Sequence, residues 1–246
     1  MSQVKEVNNY DLFARIYNEK FAGFSEGIIP ILKKFLLEKI NKSSTILDLC
    51  CGTGQLAKAL SDLGYQVVGI DLSKEMIKYA KQNAPNTTFL VEDARSFRSP
   101  ASTFQGVISV FDSLNHILST DEVFQVFKNV FDSLDNQGIF LFDINTEAIY
   151  LQHTGSFGIV EPDYACIKSV TYDSQTKFAH YQLTLFQKEQ DHWQREDIPL
   201  QQRSYTTHEI IELLKEVGFI HVSQIDTSDF GIPPSLGKAF FVATKP

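Results

Sequence analysis

The sequence predicts an α/β fold, in which helices cover both faces of a mostly parallel sheet and an antiparallel segment follows late in the chain. Between residues 45 and 145, short apolar runs alternate with stretches of helical periodicity, as in βαβ crossovers. From residue 163 to 205, the pattern changes to period-two alternation with aromatic residues, which is typical of antiparallel strands. Polar residues collect where the apolar runs end, at the edge where parallel sheets bind ligands.

Composition narrows the class of protein. The 246 residues are 43% hydrophobic, enough for a substantial core, and carry a net charge of -8. This charge gives no reason to expect binding to nucleic acid or to an anionic membrane. No stretch resembles a signal peptide or a membrane span, so a cytoplasmic protein is predicted. The three cysteines, two of them adjacent at Cys50 and Cys51, are expected to be reduced, and the six scattered histidines indicate no metal site.

Two helices are predicted before the first strand. Residues 8–22 and 27–40 both carry large apolar side chains at helical spacing. In the first helix, Tyr10 and Tyr17 are amphipathic, so either can offer a hydroxyl to a ligand while its ring covers the pocket. The alternative is that both tyrosines only pack in the core.

The stretch TILDLCCGTGQLAK, residues 45–58, predicts a strand, a glycine turn and a helix. Gly52 and Gly54 break the apolar run, and the helical pattern begins at Gln55. Glycines adopt backbone angles that other residues avoid, and they let a ligand approach the main chain at the helix N-terminus. A ligand site is therefore expected here, although a Gly-x-Gly pair can also serve only to close a tight connection.

Four further strands complete the first half of the chain. Gln66–Ile70, Thr88–Val91, Gly106–Phe111 and Ile139–Phe142 are predicted strands, and Lys74–Asn83 and Asp121–Leu134 are predicted helices. The second strand ends on Asp71, 17 residues after Gly54, close to the spacing at which an acid accepts hydrogen bonds from a ribose. The third leads to Asp93, which can accept a hydrogen bond from an adenine amino group.

The remaining elements follow residue 150. The predicted strands are Ala165–Tyr172, Phe178–Gln187, His192–Ser204, Phe219–Ile225 and Ala239–Thr244. A helix precedes the last two strands, with Thr207 as its expected cap and Gly218 as its end. The last strand is expected at an edge of the sheet.

Two ligands compete for the glycine turn. Gly52-x-Gly54-x-x-Ala57 satisfies a loose dinucleotide fingerprint, so a nicotinamide-dependent oxidoreductase stays open. S-adenosylmethionine has no phosphate but brings an ammonium and a sulfonium. Asp48, just before the turn, would repel a pyrophosphate and attract the ammonium, which favours S-adenosylmethionine.

At these residues the chain resembles the class I S-adenosylmethionine-dependent methyltransferases over nearly its whole length. ILDLCCGTGQLAKAL, VVGIDLSKEMIKYAK and LVEDARSF resemble their three cofactor motifs, and GVISVFDSLNHI and GIFLFDINT resemble their fourth and fifth strands. The resemblance implies a doubly wound, Rossmann-like seven-stranded sheet of order 3-2-1-4-5-7-6, with the last strand antiparallel. It implies a cofactor domain of residues 1–149 and 206–246, with a helical lid at about 1–41, and an antiparallel β insert after the fifth strand, residues 150–205, over the acceptor.

The resemblance also implies the residues that contact the cofactor. They are Tyr17, Asp48, Cys50, Gly52, Gly54, Asp71, Leu72, Met76, Asp93, Ala94 and Phe111. Of these, Asp48 and the two glycines would meet the methionine part and Asp71 the ribose. The adenine would lie between Leu72 and Met76, with Asp93 and Ala94 at its edge. Cys50 departs from the family pattern, because it stands where Asp-x-Gly-x-Gly-x-Gly has its first glycine, and this lowers the expected affinity.

The resemblance points to the small-molecule branch, which includes glycine and amino-sugar N-methyltransferases. It implies transfer of a methyl group to nitrogen or oxygen of a small molecule by in-line displacement, for which few catalytic groups are needed. His116, after the fourth strand, is the candidate base. Asp112 and Asn145 are candidates to orient the acceptor, although all three can instead serve their own loops.

The sequence says less about which residues of the β insert contact the acceptor and about the partners of the protein. Tyr181, Phe186, Trp193 and Tyr205 are candidates to line the acceptor site, or to form the core of the insert. The expected partner is the small-molecule acceptor, with no nucleic acid, membrane or metal, in a monomer or homodimer. A non-catalytic cofactor-binding module of the same fold stays a further alternative.

Overall fold

The computed structural model describes residues 9–21, 23, 25–100 and 102–246. Residues 8 and 22 of the first predicted helix, and the start of the predicted lid, lie outside these ranges. Within the described ranges, no helix is both long and apolar enough to cross a membrane. Cys50, Cys51 and Cys166 are free thiols, as predicted.

Eleven strands of the described chain form two sheets. They are β1 (Thr45–Leu49), β2 (Gln66–Asp71), β3 (Thr88–Val91), β4 (Phe104–Ser109), β5 (Leu134–Asn145), β6 (Gly155–Val160), β7 (Tyr164–Asp173), β8 (Phe178–Glu189), β9 (His192–Arg203), β10 (Ile220–Ile225) and β11 (Lys238–Thr244). The larger sheet has seven strands in the order β3-β2-β1-β4-β5-β11-β10. Strands β1 to β5 are parallel, and β11 runs antiparallel to both of its neighbours. The predicted order 3-2-1-4-5-7-6 is therefore confirmed.

The prediction that the last strand lies at the edge of the sheet is wrong. Strand β11 pairs with β5 along its whole length and with β10 on its other side, so β10 is the edge strand. The reason is visible in its burial, because the five consecutive residues from Ala239 to Ala243 are all buried. A run that is apolar on both faces is typical of an interior strand.

The helices lie on both faces of the seven-stranded sheet. They are α1 (Asn9–Ile16), α2 (Ser25–Leu32), α3 (Gln55–Asp62), α4 (Lys74–Asn83), α5 (Thr120–Ser133), α6 (Glu147–Gln152) and α7 (Thr207–Val217). One core includes Phe127 of α5 and Leu214 of α7, and the other includes Ile31 of α2 and Leu60 of α3. Separate cores on the two faces of a parallel sheet are the doubly wound arrangement that the sequence predicts.

The two N-terminal helices are not continuous α-helices. Each changes into a π-helical segment, Tyr17–Phe21 after α1 and Lys33–Leu37 after α2. A π-helix has a wider turn than an α-helix. Such segments are rare in proteins, and those that occur often lie at functional sites. The first one begins at Tyr17, whose ring lies against the glycine turn.

The second sheet has four antiparallel strands in the order β6-β7-β8-β9. Three of them match the predicted strands, whereas β6 and the short helix α6 were not predicted. Strand β6 has only one residue that is not exposed, Ile159, so it lacks the alternation that identifies a strand. The cap of α7 is Thr206 rather than Thr207, and it forms a capping box with Glu209.

Helix α1 lies between this second sheet and α4. A third core joins them, and its members include Phe13 and Ile16 of α1, Met76 of α4, and Leu183 and Ile198 of the sheet. This packing places α1 and the insert sheet over the carboxyl ends of the central strands. The division of the chain into a cofactor domain and an insert of residues 150–205 stays a prediction.

Candidate active site at the carboxyl edge of the sheet

The turn after β1 is built from left-handed backbone. Cys50, Gly52 and Gly54 have φ angles of 61°, 52° and 81°. A Cβ atom on Gly52 would lie 3.3 Å from Cε1 of Tyr17, and one on Gly54 would lie 2.9 Å from the Cβ of Ala80. Close packing and backbone angle therefore both require glycine at these two positions. Cys50 carries the strain that glycine would avoid, which explains why a glycine is the pattern at this position.

Asp48 lies beneath this turn with its side chain out of solvent. The residue is 2% exposed, and its Oδ2 atom has no hydrogen-bond partner in the described part of the chain. Burial, reinforced by the charge of Asp71, raises the pKa of Asp48 to about 7, against a backbone hydrogen bond from Ala57. A buried carboxylate with one unpartnered oxygen and no counter-charge is destabilising, and a cation bound beside Oδ2 would relieve this.

A small cavity of about 20 Å³ adjoins Asp48. Its lining residues are Tyr17, Asp48, Cys50, Cys51, Gln55, Leu56, Val110 and Phe111. This volume holds about one water molecule. The cavity is therefore too small for a ligand of nucleoside size, and the ring of Tyr17 forms part of its wall.

Asp71 at the end of β2 connects the glycine turn to α4. Its Oδ2 accepts a hydrogen bond from the backbone N–H of Gly52 at 2.9 Å, and its Oδ1 accepts one from Ser73 at 2.9 Å. Burial raises the pKa of Asp71, while these two hydrogen bonds lower it. Ser73 caps α4 and donates its hydroxyl hydrogen to Asp11 of α1 at 2.5 Å. The first helix is thus attached beside the predicted ribose position.

The residues predicted to surround an adenine differ in exposure. Leu72 is 51% exposed, whereas Met76 and Ala94 are buried in the cores. Asp93 is bound by its neighbour Arg95, with 2.7 Å between Nη2 and Oδ2, and this hydrogen bonding lowers the pKa of Asp93. Leu72 therefore offers the open apolar surface, while Asp93 is already engaged.

A lysine joins the ends of β4 and β5. Lys238, at the start of β11, lies 2.7 Å from Oδ2 of Asp143 and 3.2 Å from Oδ1 of Asp112. The other oxygen of Asp143 accepts the backbone N–H of Asp112, which has a left-handed φ of 53°. Burial alone would lower the pKa of Lys238, but the attraction of Asp143 and Asp112 outweighs it and raises this pKa.

His116 is held by groups from the lid and from the insert. The Tyr10 hydroxyl lies 2.6 Å from its Nε2, and the side-chain nitrogen of Gln202 lies 2.7 Å from the same atom. That amide nitrogen also donates to Asp112 at 2.7 Å, while the amide oxygen accepts from Tyr150 at 3.0 Å. Because a carboxylate only accepts, the amide orientation is fixed, and Nε2 of His116 faces a donor. Nε2 therefore carries a lone pair rather than a proton.

The electrostatics agree with a neutral imidazole. Burial lowers the pKa of His116, against the charge of Asp112 and a backbone hydrogen bond with Gln201, which raise it. A histidine that is neutral at physiological pH is able to accept a proton.

Asn145 at the end of β5 is buried, and its backbone is held by Asn115. The Asn115 side chain accepts the N–H of Asn145 and donates to its carbonyl, both at 2.8 Å. The Oδ1 atom of Asn145 has no hydrogen-bond partner among the described residues. The Asn145 side chain also hydrogen-bonds with Tyr150, whereas its buried Oδ1 lacks a donor that a ligand could supply.

Comparison with known proteins identifies the family. Residues 46–138 match a family model described as a methyltransferase domain. A Bacillus subtilis (strain 168) protein, YqeM, named provisionally as a methyltransferase, is 29% identical over 242 residues, which cover 96% of this chain and 97% of the relative. The crystal structure of an S-adenosylmethionine-dependent methyltransferase from Clostridium acetobutylicum ATCC 824 aligns with a TM-score of 0.76 and 21% identity. It covers 97% of this chain and 99% of that one.

Residues 46–138 thus form a methyltransferase domain, and the whole chain has the fold of an S-adenosylmethionine-dependent methyltransferase. These comparisons support S-adenosylmethionine as the cofactor and give no support to the oxidoreductase alternative. A Streptomyces venezuelae enzyme named dTDP-3-amino-3,4,6-trideoxy-alpha-D-glucopyranose N,N-dimethyltransferase is 25% identical over 139 residues, 56% of each chain.

Three residues of the site, Asp143, Lys238 and Gln202, were not predicted from the sequence. Asp143 follows a predicted strand and so has a weak signal, but Lys238 and Gln202 have none, since Lys238 is a single charge before an apolar strand and Gln202 lies among polar residues of ordinary appearance. Of the residues considered for the acceptor walls, Tyr205 is 1% exposed in the core beside α5 and α7, and Trp193 is 49% exposed. Neither lines the site.

Proposed function

We propose that this methyltransferase acts on a nitrogen or oxygen of a small-molecule acceptor and uses His116 as its general base. The observation that carries the proposal is the position of His116 just after β4, where its Nε2 lies within hydrogen-bond distance of Gln202 and Tyr10. Acceptors bind at this edge in parallel α/β sheets. The Streptomyces venezuelae relative, named for an amino sugar, supports a nitrogen acceptor.

The residues around the glycine turn fit the cofactor. The unpartnered Oδ2 of Asp48 would bind the ammonium of the methionine part, and Gly52 and Gly54 would let the cofactor approach the main chain. Tyr17 would cover it. When bound, S-adenosylmethionine supplies a methyl group that its sulfonium already activates.

The ribose and adenine would lie along the ends of β2 and β3. Asp71 retains lone pairs for the ribose hydroxyls beyond the two backbone hydrogen bonds that it accepts. Leu72 would cover one face of the base with Met76 behind it, and Asp93 with Ala94 would meet its edge. Cys50 and Phe111 complete the proposed contacts.

The protein groups on the acceptor side have separate tasks. His116 would take the proton that the acceptor nitrogen or oxygen loses, through Nε2, once the acceptor replaces Tyr10 and Gln202 at that lone pair. Asn145 would orient the acceptor through its free Oδ1. Asp112 contacts Gln202 and Lys238, so it would hold these groups in place. The main contribution of the fold is to align the acceptor and to exclude water.

His116→Asn should lower kcat by about 10²- to 10⁴-fold, the usual contribution of a general base. The measurement is S-adenosylhomocysteine formation with a panel of amino-sugar nucleotides, amines and hydroxy compounds. Because the lowered pKa keeps His116 neutral, kcat/KM for the acceptor, measured with saturating S-adenosylmethionine, should fall only as the pH drops through a value below 6.5.

The control for this experiment is His153→Asn, which changes an exposed histidine at the end of α6. It should leave kcat unchanged, and both variants should bind S-adenosylhomocysteine like the parent. Full kcat in His116→Asn would contradict the role of base, and no turnover with any acceptor in the panel would contradict the proposed acceptor class. The cytoplasmic location, the monomeric or homodimeric state and the lack of nucleic-acid or membrane partners stay predictions from the sequence.

A further inference from the structure

We infer that the acceptor of this methyltransferase carries a negatively charged group, a carboxylate or a phosphate, and that Lys168 of the insert sheet binds it. The inference rests on the proposed function, because it assigns a substrate class to the same site. Its evidence is the position of Lys168 and the fact that no carboxylate of the described residues lies within ion-pair distance of its ammonium.

Lys168 lies on the inner face of the insert sheet. It alternates along β7 with the outward residues and shares its face with Tyr164, Cys166 and Val170, all of which are buried. Side chains two residues apart in a strand point to the same side. This face packs against α1 through Cys166 and its neighbours, so Lys168 is directed toward the interior of the molecule.

The ammonium of Lys168 is surrounded by aromatic rings rather than by carboxylates. Its Nζ lies 5.1 Å from the ring centre of Phe157 and 4.9 Å from that of Tyr181. In the ranges that the structure describes, Lys168 forms neither an ion pair nor a hydrogen bond through its side chain. By contrast, the other lysine at this site, Lys238, has two carboxylates.

A partly buried cation of this kind favours an anionic ligand. Burial lowers the pKa of Lys168, and only Asp112 and Cys166 oppose this effect. Asp112 is itself within ion-pair distance of Lys238 and accepts from Gln202. The aromatic rings stabilise the ammonium but leave its hydrogen-bond donors free for a carboxylate or phosphate.

The position of Lys168 suits an acceptor that reaches His116. The pairing of β7, β8 and β9 places Lys168, Tyr181 and Gln202 on the same face of the insert sheet. Gln202 in turn contacts both Asp112 and His116. Tyr10 contacts His116 directly. A ligand anchored by its anionic group at Lys168 therefore presents the rest of its structure toward the proposed base.

Charge selection follows from the same arrangement. The acids Asp48, Asp71, Asp112 and Asp143 lie along the edge of the large sheet, and the whole chain has a net charge of -8. This field repels anions in general. A cation on the insert side overcomes the repulsion at one point, so it would fix both the charge and the orientation of the acceptor.

The test is calorimetric titration of the protein saturated with S-adenosylhomocysteine, using benzoate, phenyl phosphate and neutral benzamide as probes. At least one of the two anions should bind the parent protein, and benzamide should bind at least about tenfold more weakly, the factor that corresponds to one modest charged hydrogen bond. The anion that binds identifies the source of charge. Lys168→Met should abolish this preference and Lys168→Arg should retain it.

The control is Lys188→Met, which removes an exposed lysine from β8 of the same sheet and should leave anion binding unchanged. Lys168→Met should unfold at the same temperature as the parent or higher, because no ion pair is lost. Any of three results would overturn the inference. Lys168→Met could bind the anions as tightly as the parent does, the parent could bind benzamide as tightly as the anions, or the parent could bind neither anion. If the parent does not bind S-adenosylhomocysteine, the result would instead count against the proposed function.

Discussion

Asp48→Asn should weaken the binding of S-adenosylhomocysteine on the order of 100-fold or more, because loss of one partner of a buried charge pair costs several kcal/mol. S-adenosylhomocysteine carries the same ammonium as the cofactor, and Oδ2 of Asp48 is the unpartnered carboxylate oxygen beside the glycine turn. Asparagine keeps the shape of the side chain and removes the charge. The measurement is calorimetric titration at pH 8.

The same substitution should stabilise the cofactor-free protein. The pKa of Asp48 is raised from its ordinary value to about 7, so the folded state holds the proton more tightly than the unfolded chain. The charged carboxylate therefore destabilises the fold increasingly from the ordinary aspartate pKa up to about pH 7, and fully above it. The melting temperature should rise for Asp48→Asn, and more at pH 8 than at pH 5.

Asp62→Asn is the matched control for both measurements. It makes the same chemical change at an exposed position on α3, where Asp62 pairs with Lys58 on the surface. Exposed pairs of this kind contribute little, so both affinity and melting temperature should stay close to those of the parent. Unchanged affinity of Asp48→Asn would remove Asp48 from the cofactor site.

Lys238→Met should destabilise the fold by about 3–5 kcal/mol, the usual effect of removing one partner of a buried ion pair. Lys238 contacts Asp143, which is 1% exposed, and Asp112. Without the ammonium, two neighbouring carboxylates would face each other out of water. Urea unfolding at pH 7.5 gives the change in free energy.

A second substitution separates the cost of the unpaired carboxylates from the cost of lost side-chain packing. Adding Asp143→Asn to Lys238→Met removes the more buried of the two charges, so it should recover most of the lost stability. Lys215→Met, at an exposed lysine of α7, should change stability little. Parent-like stability of Lys238→Met would contradict the account of Asp112 and Asp143 as charges held by this lysine.

The sequence predicts most of the large sheet because its signals are local. The apolar run before the glycine turn and the acid after the second strand each lie within a few residues, and the βαβ rhythm restricts how the strands can be ordered. Strand β11 shows the limit. Its position between β5 and β10 depends on which neighbours cover both of its faces, and closeness to the C-terminus suggests an edge instead.

The cofactor side of the site is more predictable than the acceptor side. Asp48, Gly52 and Asp71 lie in short motifs, and the structure brings them together around one turn. On the other side, Tyr10 reaches His116 across 106 residues and Gln202 reaches it across 86. Such contacts depend on how α1 and the insert pack, which no local pattern reports. Lys168 is similar, because its proposed role in anion binding depends on which described carboxylates lie within ion-pair distance, and the local sequence does not report this.

Calorimetric titration of the parent protein with S-adenosylhomocysteine at pH 6 and pH 8, with NADH as the control ligand, tests the central claim most directly. One-to-one binding is expected, and the affinity should be about tenfold weaker at pH 6, because Asp48, with its pKa of about 7, must lose a proton to meet the ammonium. NADH should give no heat of binding. Binding of NADH alone, or an affinity for S-adenosylhomocysteine that does not change with pH, would contradict the account.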